Sequence, residues 1–386
     1  MVVTGDLQMG LQARLDERKR LGLFRSMSVA RNNSRVLNLA SNDYLNLAMD
    51  SRLQSAGIEA LRQYGCSSSA SPLVTGYGPV HKELKQTLCR WHDFPNGLVW
   101  NSGYAANQAV LSLLPQKGDL VLADRLNHNS ILSGVLRSGA RLIRYRHADL
   151  DHLEALLADH CNERRNIFVT TESVFSMNGD WPDLRRIAKL KERYDFFWIL
   201  DEAHALGWYG DRGQGLANEL GVDGQVDLLV GTMGKSLGSQ GAYTLFRYDC
   251  IGDYLVNFSE EFIYSTYLSP ASAAIAIEAV AIIQSSVSLR RQGRKISKDI
   301  RHSLRGMGFS VAEGDSSIVS IVIGDAKKTM QAGRLLDSRG ILVGSIRPPT
   351  VPKETSRLRM SLKATIASED IERLLAAFEQ VAKEFV

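Results

Sequence analysis

The chain reads as an α/β protein, with a mostly parallel central sheet in a large domain and a smaller α+β domain at the C-terminus. Three observations predict this. Short apolar runs alternate with helical patterns from about residue 50 to 280, which implies parallel strands covered on both faces. Each run ends in a polar or glycine-bearing turn, as at the carboxyl edge of an open α/β sheet. Beyond residue 281 the alternation gives way to two isolated strand-like runs and a terminal helix. The expected division is an arm over 1–48, a large domain over 49–280 and a small domain over 281–386.

In chain order, residues 7–22 carry the pattern of an exposed, charged helix. Arg35 to Ala40 reads as a short strand before a turn at Ser41-Asn42-Asp43. The large domain follows with strands expected at 97–100, 120–123, 141–144, 166–170, 196–200 and 227–230, each apolar and short enough to be buried. The turns behind them are Ser102-Gly103-Tyr104, Asp124 to His128, Glu172 to Ser176, Asp201 to His204 and Gly231 to Lys235. Residues 271–305 read as one long helix, Ala-rich and then basic. Strands near 317–322 and 358–361 and a helix over 368–384 complete the small domain.

Composition excludes several classes. With 386 residues, 44% hydrophobic and 23% charged, the chain can bury a large core. A net charge of +4 and scattered basic clusters (Arg141, Arg144, Arg146; Arg290, Arg291, Arg294, Lys295) give no nucleic-acid footprint; those clusters read as solvated faces, with contact to an acidic thioester carrier as the alternative. Cys66, Cys89, Cys161 and Cys250 show neither disulfide nor metal-ligand spacing, so reduced thiols and no metal site are expected. The charged N-terminus leaves no room for a signal-peptide core, and no apolar run nears the ~20 residues of a membrane span. A cytoplasmic protein is expected.

The chemistry concentrates in Asp201-Glu-Ala-His204 and Gly231-Thr232-Met-Gly-Lys235-Ser-Leu-Gly238, which put an acid, an imidazole and a lysine near one sheet edge. An ATPase would explain part of this pattern. However, Leu229 stands where the first P-loop glycine belongs, and the lysine follows the acidic box instead of preceding it. Pyridoxal phosphate (PLP) explains all of it. Its ring nitrogen needs a carboxylate, which suits Asp201; an imidazole three residues on, His204, reaches the phenolic oxygen or the substrate; and Lys235, in a small-residue loop, suits the covalent link. A glycine turn opening a helix at Asn101 to Asn107 offers backbone N–H groups to a phosphate. His128 is placed to lie over a ring, and Arg347, Arg357 and Arg359 supply guanidinium groups that grip carboxylates.

These residues resemble the α-oxoamine synthases, fold-type I PLP enzymes that condense an amino acid with an acyl thioester and release carbon dioxide. Seven motifs in order carry the resemblance over nearly the whole chain: Ser41 to Leu45, Ser102 to Asn107, Asp124 to His128, Glu172 to Asp180, Asp201 to His204, Thr232 to Lys235 and Tyr264 to Thr266. The resemblance implies that Lys235 links the cofactor and acts as general base. His128 would stack on its ring, Asp201 would pair with the ring nitrogen, and His204, with Ser176 nearby, would pair with the phenolic oxygen. Gly103, Tyr104 and Thr232 would hold the phosphate, with Ser265 and Thr266 of a partner subunit. Arg359 would bind the amino-acid carboxylate and Arg347 a second carboxylate. Asn42 is similar to a residue that reaches the neighbouring active site, which implies a homodimer.

Within the family, Ile346-Arg-Pro-Pro-Thr-Val-Pro352 and the run to Arg359 most resemble the biotin-pathway members, which implies L-alanine and a pimeloyl thioester, carried on coenzyme A or an acyl-carrier protein. Glycine or serine with another acyl group, a non-catalytic partner subunit, and aminotransferase or aldolase chemistry remain as alternatives. Two stretches depart from the family pattern. Cys66-Ser-Ser-Ser-Ala-Ser-Pro72 replaces a glycine-rich loop, and Ala205-Leu-Gly-Trp208 replaces a smaller sequence, so both are expected to reshape the acyl pocket.

Overall fold

The computed structural model describes residues 3–27, 29, 36–163 and 165–385. Among them are twelve strands: β1 (Leu37–Asn38), β2 (Asn96–Trp100), β3 (Leu120–Asp124), β4 (Arg141–Tyr145), β5 (Ile167–Glu172), β6 (Phe197–Asp201), β7 (Leu228–Thr232), β8 (Ala242–Phe246), β9 (Ile318–Gly324), β10 (Ile341–Leu342), β11 (Gly344–Ile346) and β12 (Ser356–Ser361). The main sheet runs β2-β8-β7-β6-β5-β3-β4. Its pairs β7-β6, β6-β5, β5-β3 and β3-β4 are parallel, and β8 alone runs against both neighbours. Sequence reasoning located every strand of this sheet except β8. Arg35, expected to open the first short strand, lies outside the described residues; of that strand, Leu37 and Asn38 pair with Ile341 and Leu342.

Every side chain of β3, β5 and β8 is buried, which is why these strands read as apolar runs without alternation. The parallel arrangement brings the carboxyl ends of β3, β5, β6 and β7 to one edge, where Asp124, Glu172, Asp201 and Thr232 terminate them. Glu172 and Asp201 are register partners on adjacent strands.

A second core joins Leu37 and Leu39 to residues 300–381, around the antiparallel sheet β11-β12-β9. The leading arm is therefore split. Its helix Val3–Arg20 is exposed from Gly5 onward, as expected, while its strand is built into the small domain.

The long helix expected over 271–305 is two helices, Pro270–Ser285 and Val287–Gly306, bent by 76°. The side chains of Ser285 and Ser286 donate to the carbonyl of Ile282 at 2.9 and 2.6 Å, competing with the helix ladder at the break. Among the described residues no single helix is long and apolar enough to cross a membrane.

On the second helix Arg291 and Lys295 form the expected solvated face, whereas Arg290 and Arg294 do not. Arg290 is buried, donating to the carbonyls of Ile283, Gly210 and Asp211. Arg294 bridges Glu219 at 2.8 Å and Asp315 at 3.0 Å. These arginines fasten the loop after His204 to the small domain.

The two departures from the family pattern have definite shapes. Ser69 takes φ +58°, a left-handed conformation that glycine adopts without strain. Ser68 Oγ donates to the Leu268 carbonyl at 2.6 Å. The serine loop thus keeps a glycine-like turn while its hydroxyls tie it to the chain around residue 268. Trp208 is buried edge-on to Tyr44, and its indole N–H donates to the Asp315 carbonyl at 2.8 Å. It ties the first core to the backbone just ahead of β9.

Candidate functional site

Lys235 and His204 meet because two loops close on each other after β6 and β7. Gly207 makes this approach feasible. It sits at φ +72°, and a Cβ there would lie 2.8 Å from Ser236 Cβ and 3.0 Å from Leu45 Cδ1. Behind the turn, Glu202 is fully buried and accepts from Ser173 Oγ (2.5 Å), Leu216 N (3.0 Å) and Ala217 N (2.8 Å). Burial pushes its carboxyl up to about 7, while those hydrogen bonds oppose the shift.

From this scaffold a relay of side chains runs through the site. Lys235 Nζ lies 2.8 Å from His204 Nε2, and His204 Nδ1 lies 2.5 Å from Tyr44 Oη. The Tyr44 hydroxyl donates to Asn42 Oδ1 at 3.3 Å. With Lys235 donating to Nε2, the imidazole proton rests on Nδ1 and donates to Tyr44 Oη. Burial, reinforced by the charges of Lys235 and Arg359, holds His204 well below the usual histidine range, so the relay contains a neutral imidazole. Desolvation draws the Lys235 amine down to about 8, against the opposing carboxylates of Asp201 and Glu172.

The acid is held as firmly. Asp201 Oδ2 accepts from Asn107 Nδ2 at 2.9 Å, and Oδ1 from Ala203 N at 2.9 Å. Asn107 also donates to Ser130 Oγ (3.1 Å), which lies 2.7 Å from His128 Nδ1. Close contact of the helices Gly103–Leu113 and Asn129–Ser138 permits this, since a Cβ at Gly134 would meet Leu111 Cβ at 2.9 Å and the Asn107 carbonyl at 3.0 Å.

Glu172 is buried beside Asp201. It accepts from His128 N at 2.7 Å and Ser176 N at 3.2 Å. Burial and then the Asp201 charge push it up to about 8, opposed by Lys235 and the two amides.

Arg359 enters from β12, buried, with Nε donating to the Ser176 carbonyl at 2.6 Å and Nη1 to Asn42 Oδ1 at 3.1 Å and Ser361 Oγ at 2.9 Å. Asn42, expected to reach a neighbouring site, here accepts from Arg359 within the chain. The short pairing of β1 with β10 delivers Asn42 to Arg359 of its own chain.

Gly103 and Tyr104 open the helix Gly103–Leu113, where the first N–H groups lack intrahelical partners and favour an anion. Thr232 lies beside them, its Cβ 3.8 Å from where a Gly103 Cβ would stand. Thr266 is exposed, and its carbonyl accepts from Asn101 at 2.7 Å, just before this turn. Ser265 adjoins it, half-buried. Arg347 is not brought to the other predicted residues; its guanidinium donates to the Gly22 carbonyl.

The donor set fits PLP. A buried carboxylate with ordered partners, an amine depressed toward neutrality and a helix N-terminus beside a threonine match the ring nitrogen, the aldehyde and the phosphate respectively. Asn107 Oδ1, buried and unpartnered beside Asp201, leaves polar capacity at the same place.

Comparison with known proteins agrees. The family profile described as aminotransferase class I and II matches residues 34–378. A protein of Trichlorobacter lovleyi named 8-amino-7-oxononanoate synthase is 41% identical over 384 residues, covering 97% of this chain and 98% of that one. Another of that name from Geobacter sulfurreducens is 39% identical over 381 residues, covering 96% and 97%. The chain belongs to the α-oxoamine synthases.

Solved relatives of this family have the same fold. A serine palmitoyltransferase from S. paucimobilis with PLP bound superimposes with a TM-score of 0.90 at 25% identity, covering 97% of each chain. An 8-amino-7-oxononanoate synthase from Francisella tularensis gives 0.78 at 26% identity, over 91% of this chain and 98% of that one. As an α-oxoamine synthase this protein is a PLP-dependent acyltransferase of fold type I.

Sequence reasoning assigned no role to Asn107, Glu172, Tyr44 or Ser130. Three of the four lie inside or next to motifs it had quoted. Asn107 stands one turn into the helix that Gly103 opens, and Glu172 ends a strand in register with Asp201, so helix and strand periodicity held the signal for both.

Proposed function

We propose that this α-oxoamine synthase joins L-alanine to a pimeloyl thioester, releasing carbon dioxide and the thiol to give 8-amino-7-oxononanoate for biotin synthesis. The observation that carries this reading is the 41% identity, end to end, with a relative of that name. PLP supplies an electron sink for the amino acid's α-carbon.

The chain's residues supply the rest. Asp201, hydrogen-bonded by Asn107 and Ala203, would hold the proton on the cofactor's ring nitrogen, and His128 would lie on the ring face. Gly103, Tyr104 and Thr232 would bind the phosphate, with Ser265 and Thr266. Arg359 would grip the alanine carboxylate and orient the bond to be broken, while Lys235 Nζ, drawn down to about 8, takes the α-proton. His204 would stay neutral and bond to the phenolic oxygen.

The test is a spectral titration of the PLP-loaded protein with L-alanine, glycine and L-serine, each followed by pimeloyl-CoA with thiol release monitored. Alanine should perturb the bound-PLP spectrum most, and pimeloyl-CoA should then release thiol. Preference for serine would favour a serine palmitoyltransferase-like activity instead, a reading that the 0.90 superposition keeps open.

We also infer a homodimer. Leu73 and Val74 are 50% and 75% exposed, and Tyr104 and Tyr264 are 49% and 80% exposed; an apolar surface of this kind suits an interface. Light scattering should give twice the chain mass, and a monomer mass in the loaded enzyme would overturn the inference.

A further inference from the structure

His147 occupies a junction to which the chemistry above assigns nothing. Its Nδ1 lies 2.9 Å from Asp124 Oδ1 and its Nε2 lies 3.0 Å from Asp180 Oδ2. A neutral imidazole has one N–H and would turn a lone pair toward one carboxylate, so only the imidazolium satisfies both. Asp124 is fully buried and also accepts from Leu126 N (2.7 Å) and Ala148 N (2.8 Å). Asp180 also accepts from Asn178 Nδ2 at 3.1 Å. Among the described residues, Tyr145 also lies beside Asp124, and Arg301 and Arg357 act on Asp180 from the small domain. Burial alone would lower the His147 imidazole, but the two carboxylates outweigh it and raise it to about 9.

The segment that His147 clamps is the one that holds Arg359. Phe175 stands edge-on to the imidazole, with ring centres 4.4 Å apart. Its N–H donates to the Asp180 carbonyl and its carbonyl accepts from Gly179 N, both at 2.9 Å, closing residues 175–180 into a compact loop. Gly179, at φ +73°, seats that loop on β9, where a Cβ would stand 2.1 Å from the Ile318 carbonyl. From the loop, the Ser176 carbonyl takes Arg359 Nε and Asn178 Oδ1 takes Arg357. Both arginines of β12 are therefore aimed by one loop, tied to the large domain by the His147 imidazole at Asp180 and by the Ser176 N–H on Glu172.

We propose that His147 is a positioning residue for amino-acid binding: bridging Asp124 and Asp180, it fixes the 175–180 loop so that the Ser176 carbonyl holds Arg359 on the substrate carboxylate. This rests on the reading of Arg359 given above. The protonated bridge is present at neutral pH and lost as pH rises through about 9.

The experiment compares wild type, His147→Gln and Asp180→Asn as PLP-loaded enzymes. Dissociation constants for L-alanine, glycine and L-serine are read from the spectrum between pH 6.5 and 10, and the imidazole is followed by NMR. Below pH 9 both variants should bind amino acid roughly tenfold more weakly, equivalent to ~1.4 kcal/mol, with kcat changed far less. Above pH 9 the wild type should weaken toward the His147→Gln variant, so that their ratio approaches one. The His147 NMR signal should remain that of an imidazolium through neutral pH in wild type and titrate lower in Asp180→Asn.

A ratio near one at all pH values, a ratio that is constant with pH, or a His147 resonance titrating in the ordinary histidine range overturns the proposal. If serine or glycine binds in place of alanine with the same pH-dependent ratio, the substrate reading fails and the positioning role stands. If no amino acid binds the wild type, both fall.

Discussion

Replacing Lys235 with alanine should lower kcat by at least about 10³-fold, because one substitution removes both the covalent anchor and the base; a lost general base alone is worth ~10²–10⁴. The fold should survive, since Lys235 is only half-buried and its polar contact is with His204. The variant should still bind PLP through Asp201 and the turn at Gly103, but without the long-wavelength absorbance of a lysine-linked cofactor. The wild-type amine carries a pH signature as well. Only the free amine attacks the cofactor's aldehyde, so the rate of PLP capture by the stripped enzyme should climb as pH rises through about 8 and level off above it. A capture rate still climbing steeply above pH 10 would mean an ordinary exposed lysine. Turnover retained in the alanine variant would end the assignment of Lys235.

Asp201→Asn should lower kcat by about 10²–10³-fold, the range for removal of one preorganised electrostatic partner. An amide cannot hold the proton on the ring nitrogen, and here it would also face the Asn107 amide at the position of a 2.9 Å hydrogen bond. Cofactor binding should weaken far less than turnover, because the phosphate turn and Lys235 are untouched. Glu172 offers an independent readout. The Asp201 charge is second to burial among the causes that push Glu172 up to about 8, so infrared spectroscopy should find the Glu172 carboxyl titrating lower in this variant. An Asp201→Asn enzyme with wild-type kcat would place the ring nitrogen elsewhere.

Strands and helices were legible in the sequence where one local pattern decided them. β3, β5 and β6 are buried on both faces and stand out as apolar runs, and the turns behind them carry the residues of the site. β8 was missed because Ala242-Tyr-Thr-Leu-Phe246 follows the lysine loop without a helix between, and a strand that reverses direction breaks the alternation used to find the others. The break at Ser286 was missed because its cause is two serine side chains turning back on Ile282, which composition does not distinguish from solvent-facing serines.

In the site, the reactive residues were readable because cofactor chemistry demands particular side chains. Their partners were not, because they are joined only by the fold. Tyr44 is 160 positions from His204, and Asn42 is 317 from Arg359. Arg347 shows the converse: an arginine followed by prolines suits a carboxylate in sequence, while in the fold its guanidinium donates to the Gly22 carbonyl, 325 positions away.

The pairing of β1 with β10 sets a timetable for the newborn chain. Leu37 leaves the ribosome 304 residues before Ile341, its neighbour in the finished sheet. At elongation rates of about 5–20 residues per second that interval is about 15–60 s. Once Phe246 has emerged the large sheet has all its strands, whereas Asn42 and Tyr44 still hang from an unpaired segment with no strand to dock on. The relay from Lys235 through His204 to Tyr44 is therefore assembled last, after the C-terminal sheet arrives to recruit the start of the chain. A fragment of residues 281–386 would lack Leu37 and Leu39 from its core, and one ending before β10 would carry Lys235 but leave its tyrosine adrift.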